Sequence, residues 1–176
     1  DTFGLDSLPP RQSLFVLSKL YLVSQAIYTI AMLGIADHIN SQESLVDDIA
    51  KATDCQPEYL DRLLRFVASY GIFHETKPKH YRSTELSNLL REDHPDSVRK
   101  MLCGADNIWW NAVVALKDSL QTGKPAFDIV HQDNFFGYLK KHPTEQQCFD
   151  QAMANVSKNE DIACQKSFVQ NIDYPN

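Results

Sequence analysis

Glycine is scarce in this sequence and never clustered. The six glycines are Gly4, Gly34, Gly71, Gly104, Gly123 and Gly137, and the closest two, Gly123 and Gly137, are 14 residues apart. No GxGxxG or GxxxxGK(S/T) loop can be drawn through them, so the chain offers no glycine-rich cradle for a nucleotide or dinucleotide. Cysteine is equally dispersed. Cys55, Cys103, Cys148 and Cys164 form no CxxC pair, and no histidine lies at a zinc-like distance from a cysteine pair. Zinc ribbons and paired-thiol redox motifs are excluded; free thiols in a reducing, cytoplasmic setting are expected, with no metal site. A surplus of positive charge is also missing: 17 Lys and Arg face 23 Asp and Glu, a net charge of −6. That balance argues against a broad nucleic-acid footprint. No carboxylate pair has a spacing that demands acid–base work, the six histidines are scattered, and no Ser, His and Asp set can be argued into a triad. No catalytic residue is expected in this chain. A basic-then-apolar leader with a small-residue cleavage site is not visible.

What is present is apolar and helical. The chain is 43% hydrophobic and long enough, at 176 residues, for one medium domain or a domain with an appendage. Residues 1–12 read as an arm. A helix is expected over 13–33, stopped by Gly34. Leu14, Leu17, Leu20, Tyr21, Ile27 and Tyr28 recur on it at three- and four-residue steps, and Phe15, Val16, Leu22, Val23, Ile30 and Met32 fill the other faces. Ser18, Lys19, Ser24, Gln25 and Thr29 interrupt the run, which favours a covered helix over a membrane span. A helix apolar nearly all round needs cover from several sides. A second subunit is the economical source, so an intertwined homodimer is expected, with those six residues at the interface and no membrane partner.

The next region reads helix, turn, helix, hairpin. Ser44 is expected to cap a helix over 45–53, with Asp47 as its capping-box partner. Pro57 suits the first position of a helix that runs to Ser69 and stops at Gly71. Residues 72–75 and 80–83 alternate like a hairpin with 76–79 as its tip. This is winged-helix order, but the second helix is a poor reader of DNA. Over 56–82 the bases Arg62, Arg65, Lys77, Lys79 and Arg82 are opposed by Glu58, Asp61 and Glu75, leaving only +2. Tyr59, Leu60, Leu63, Leu64, Phe66, Val67 and Tyr70 make the helix one to pack against, and no nucleic acid is expected as partner. Further helices are expected over 84–91, 97–121, 134–141 and 144–170, with 126–133 as a loop. Apart from the hairpin no strand is expected.

Trp109 and Trp110 are adjacent on a helix and point about 100° apart, so one packs inward and the other meets a partner or ligand. Phe149 and Met153 are four apart and share a face. His131 and His142 fall in expected loops.

Taken in order, YLDRLLRFVASYGIFHE (59–75), HYRSTELSNLLRED (80–93), HPDSVRKML (94–102), Trp109, LKDSLQTGKPAF (116–127), FGYL (136–139) and FDQAM (149–153) resemble the N-terminal region of class I S-adenosylmethionine-dependent O-methyltransferases acting on small hydroxylated molecules. The likeness covers residues 13–157. It implies a mainly α fold: a winged-helix dimerisation domain over 13–96 with a small hairpin, then helices over 97–176 that wall the substrate pocket. It implies a homodimer through the N-terminal helices and S-adenosylmethionine as the cofactor. A small, hydroxylated aromatic substrate would lie against Phe149, Met153, Trp109 and Trp110. The tryptophan that many members carry three residues before the Leu116 position is Val113 here. The family's glycine-rich cofactor loop, Rossmann-like domain and histidine base have no counterpart in the sequence. The chain is therefore expected to be an N-terminal segment, inactive alone. Two alternatives are a winged-helix DNA-binding regulator sensing a small aromatic ligand, and an inactive partner that dimerises with a complete methyltransferase.

Overall fold

The computed structural model describes residues 8–158, without the side chains of 104–107, 152 and 154–158. The chain divides between Arg99 and Lys100 into two compact units.

The first unit opens with α1 (Pro10–Leu17) and α2 (Leu20–Met32). The single helix expected over 13–33 is two, and Pro10–Gln12, assigned to the arm, begins the first of them. The break has a local cause. The Ser18 hydroxyl donates to the Phe15 carbonyl at 2.8 Å, and Lys19 leaves helical geometry at φ −108°, ψ −3°. The arm's residues 1–7 lie outside the described residues. Gly34 ends α2 in the left-handed conformation, φ +64°, and a 3-10 turn follows at Ile35–His38.

Next come β1 (Ser44–Leu45), α3 (Val46–Ala52) and α4 (Pro57–Ala68). The β2 (Phe73–Lys77) and β3 (His80–Ser83) hairpin and α5 (Glu85–Asn88) complete the unit. Ser44 does not cap α3. It pairs with Tyr81 across the sheet, its hydroxyl accepts the Asn40 backbone N–H, and α3 starts from Leu45 with no side-chain cap. The third strand was not expected; the sheet order is β1-β3-β2, antiparallel throughout. Pro57 does open α4, whose Leu60, Leu64 and Val67 are buried on one face. They meet Ile30, Ile35, Ile39, Val46, Ile49, Phe73 and Tyr81 in the core. Thr84 caps α5 in a reciprocal box with Ser87, so the helix expected over 84–91 is short but well anchored.

The unit closes where Arg99 pairs with Asp37 at 2.5 Å and with Glu92 at 3.4 Å. Arg99 also begins α6 (Arg99–Val113). The helix expected over 97–121 is interrupted at Val114 and Ala115 before α7 (Leu116–Thr122). Consecutive β-branched residues, Val113 and Val114, weaken the helix there. The expected loop over 126–133 is helical: α8 (Ala126–His131) starts after Pro125, buries Phe127, and ends on left-handed Gln132. Asn134 caps α9 (Phe135–Lys141) by accepting the Gly137 N–H at 2.9 Å. The last described helix is α10 (Pro143–Lys158); the rest of the helix expected to reach residue 170 lies outside the described residues.

Candidate functional site

Two surfaces merit attention, one in each unit. In the first, α1 has no buried residue and α2 buries only Ala26, Ile30 and Ala31. Of the six expected interface residues, Leu14, Leu17 and Tyr21 are exposed, and Leu20, Ile27 and Tyr28 are half-buried. Leu14 is 69% and Phe15 66% exposed. The cover expected for this apolar stretch is thus not fully supplied by the described residues. Pro10–Met32 is also long and apolar enough to cross a membrane, by length and composition only.

The same unit carries the would-be reading helix, α4. Arg65 binds Asp61 at 2.7 Å and approaches Glu75 at 3.5 Å, and Lys77 binds Glu43 at 2.8 Å. The Lys77 ammonium and the Thr76 hydroxyl hold the Glu43 carboxyl below its ordinary pKa. Two of the five bases counted over 56–82 are therefore engaged with carboxylates, which thins the electrostatic footprint further.

In the second unit Ile108 and Ala112 of α6, Phe127 of α8 and Leu139 of α9 form a buried core, with Phe135, Tyr138 and Phe149 half-buried against it. Trp109 stacks on Phe135 at 4.9 Å between centroids and tilts against Phe127 at 5.3 Å. Phe149 meets the edge of Phe135 at 5.0 Å. Phe135 thus links Trp109 and Phe149, two of the expected pocket residues. Trp109 keeps 42% of its surface exposed, so its indole is a rim with one ring face occupied. Met153 lies one turn beyond Phe149 on α10 and is 41% exposed. Trp110 is half-buried, and no ring contact is described for it.

Of the two histidines expected in loops, His142 does lie in one, between α9 and α10, and His131 does not. His131 lies on α8 against Phe127 (4.3 Å) and Tyr138 (4.6 Å), its Nε2 3.3 Å from the Ile108 carbonyl oxygen. His142 stacks on Tyr138 at 3.8 Å with Nδ1 2.8 Å from the Tyr138 carbonyl oxygen. Phe127, Phe135, Tyr138 and His131 were missed as a group. The signal was Phe127 and His131 at a helical step of four, invisible once 126–133 is taken for a loop.

Chemically this is an apolar, π-rich wall. Among the described residues no group of three or more His, Cys, Asp or Glu could hold a metal ion. The resolved carboxylate shift in this unit belongs to Asp133, held below its usual value chiefly by Lys141. The wall can orient a flat ligand and exclude water; its titratable rings, His131 and His142, pack on Tyr138.

Against known proteins, the O-methyltransferase dimerisation domain matches residues 15–93. The phenazine O-methyltransferase PhzM of Lysobacter antibioticus is 36% identical over 138 residues, which is 78% of this chain and 40% of that protein. The solved structure of LaPhzM superposes with a TM-score of 0.80 at 32% identity, covering 95% of this chain and 49% of that one. The neocarzinostatin-pathway O-methyltransferase NcsB1, solved with S-adenosylmethionine and 2-hydroxy-5-methyl naphthoic acid, gives 0.67 at 30% identity over 76% of this chain and 42% of that one. No DNA-binding regulator is among these relatives. The chain spans about two-fifths of the length of the curated relatives it matches. Residues 15–93 match the O-methyltransferase dimerisation domain, and the chain is similar to the N-terminal part of such methyltransferases.

Proposed function

We propose that this chain is the dimerisation and substrate-facing part of a cytoplasmic, S-adenosylmethionine-dependent O-methyltransferase that modifies a hydroxyl on a small aromatic molecule. Residues 13–96 form the winged-helix dimerisation domain, and the helices from 97 onward wall the acceptor pocket. The change of compact unit between Arg99 and Lys100 supports that division. Phe149, Met153, Trp109 and Trp110 face the acceptor and exclude water from it. Leu14, Leu17, Leu20, Tyr21, Ile27 and Tyr28 meet the twin subunit.

One observation carries the reading. Apolar α2 and the end of α1 leave Phe15, Leu17, Tyr21, Leu22 and Met32 exposed within the span matched by a dimerisation family. A protein partner accounts for that exposure better than a bilayer, because the Ser18–Lys19 break interrupts the stretch a membrane would need continuous.

When bound, S-adenosylmethionine supplies an electrophilic methyl group. The residues of this chain do not fit that donor, since its glycines are too dispersed to cradle it. Their contribution is position and dryness: a substrate held near attack geometry gains rate from proximity.

The test is threefold. Light scattering of the 176-residue protein is expected to give a dimer. Calorimetry with S-adenosylmethionine is expected to give no micromolar binding. A gel shift with duplex DNA at physiological salt is expected to show none. A stable monomer, tight donor binding or a salt-sensitive DNA complex each contradicts the proposal.

A further inference from the structure

Phe135 is the first residue of α9, and the backbone around it is held from both sides. Asn134 accepts the Gly137 N–H at 2.9 Å. Asp133 accepts the Asn134 N–H at 2.8 Å through one carboxylate oxygen and holds Lys141, the last residue of α9, at 2.7 Å through the other. That carboxylate lies so close over Gly137 that a Cβ there would collide with it. The exposed ion pair adds little energy, but with the cap it fixes the first turn of α9.

From that turn Phe135 meets a ring on each of three other helices. Trp109 of α6 lies nearly parallel to it, at 4.9 Å between centroids and 26° between planes. Phe127 of α8 and Phe149 of α10 meet it edge-on, at 83° and 77°. Phe135 itself is half-buried, packed against the core of Ile108, Ala112, Phe127 and Leu139 and not within it. Its near-parallel contact restricts the tilt of the indole, whereas the edge contacts anchor Phe135. Trp109 needs such support. It is 42% exposed, and Val113, one turn further along α6, is a short side chain 64% exposed.

We propose that Phe135 is a positioning residue of the acceptor wall. Stacked on one face of Trp109, it fixes the plane of the indole and leaves the opposite face for a flat aromatic acceptor. It acts through Trp109 and does not itself touch the acceptor. The inference rests on the acceptor-wall reading above and goes beyond it by naming the residue that aims the wall.

The experiment labels the 176-residue chain with fluorotryptophan, so that Trp109 and Trp110 each give one fluorine resonance, assigned with Trp109→Leu. Phe135→Leu keeps apolar bulk and removes the flat surface; Phe135→Tyr restores it. In Phe135→Leu the Trp109 resonance is expected to shift and the Trp110 resonance to stay, with far-UV circular dichroism unchanged. Phe135→Tyr is expected to return the Trp109 resonance toward its original position. An unmoved Trp109 resonance overturns the proposal, as does a Phe135→Leu chain that loses its fold, which would make Phe135 merely structural. The second readout is calorimetric titration with 1,4-dihydroxy-2-naphthoic acid. Phe135→Leu is expected to weaken binding about 2- to 10-fold, the worth of one aromatic pair, with Phe135→Tyr restoring it. Once Trp109 is Leu, Phe135→Leu is expected to have no further effect. Additive losses in the double variant would put Phe135 against the acid directly and overturn the positioning role, leaving the acceptor wall standing. A natural chain that takes up none of the acid sinks the acceptor-wall reading and this proposal with it, which separates the two failures.

Discussion

Tyr81 donates its phenolic hydrogen to the Asp61 carboxylate at 2.7 Å, from a position with no exposed surface. The contact joins the middle strand of the sheet to α4, and Arg65 closes the other carboxylate oxygen at 2.7 Å. Asp61 is one of the two buried polar side chains among the described residues. Replacing it by Ala removes the shorter of the two bonds the Tyr81 hydroxyl makes in the core and leaves it only the Asp61 backbone carbonyl, at 3.2 Å. Urea denaturation of Asp61→Ala is expected to show a loss of about 3 kcal/mol, and of Tyr81→Phe about 1.5 kcal/mol, because Arg65 still satisfies the carboxylate.

Burial, then the bond to Asp61, raises the Tyr81 pKa above its ordinary value of 10.0. The folded state keeps this proton more tightly than the unfolded chain does. The stabilising contribution is therefore complete below pH 10 and is lost as pH climbs from there toward the folded-state value. Urea midpoints measured across the alkaline range should fall for the natural chain and fall less steeply for Tyr81→Phe. Equal slopes for the two would show that this phenol is not responsible.

Two glycines separate backbone strain from crowding. Gly34 and Gly71 both have positive φ, +64° and +77°, but only at Gly34 would a Cβ meet anything, Arg99 Nη2 at 2.9 Å and Asp37 Oδ2 at 3.3 Å. Gly71→Ala should cost about 1–2 kcal/mol from backbone strain alone. Gly34→Ala should cost more, because the new methyl presses on the Arg99–Asp37 pair. Adding Arg99→Ala should recover the excess, which a double-mutant cycle reads directly.

The hairpin tip holds a non-glycine residue in left-handed geometry, Lys79 at φ +66°. Lys79→Gly relieves that strain while retaining the Lys79 carbonyl, which accepts the Val46 N–H at 2.9 Å. A gain of about 0.5–1 kcal/mol is expected from thermal denaturation, reduced by the entropy that glycine restores to the unfolded chain.

Phe127 is the hub of the second unit's ring cluster, touching Trp109, His131, Phe135 and Tyr138. Phe127→Ala should cost about 3–5 kcal/mol and shift the Trp109 fluorescence. Met153→Ala, at an exposed position, should change stability by less than about 0.5 kcal/mol.

Local punctuation made the centre of the first unit legible. Pro57 opens α4 and Gly71 closes the turn after it, so helix and hairpin could be placed from their own residues. The two-residue strand β1 could not, because Ser44 becomes a strand residue only by pairing with Tyr81, 37 positions away in the numbering of the register. The break at Ser18 was hidden by a hydrophobic pattern that runs through it, while a single hydroxyl-to-carbonyl bond turns the backbone. At the candidate site, Trp109 and Phe149 were named separately, but Phe135, the ring that joins them, comes from a third helix. Such a meeting depends on how helices pack and leaves no periodicity in any one of them.

The bulge between Glu75 and Lys77 lies on β2, an edge of the three-stranded sheet. An open edge invites a neighbouring chain to continue the ladder, and a kink flanked by an acid and a base makes that edge a poor template. Strand-to-strand growth along that edge is thereby discouraged in a protein that also leaves apolar helix surface exposed.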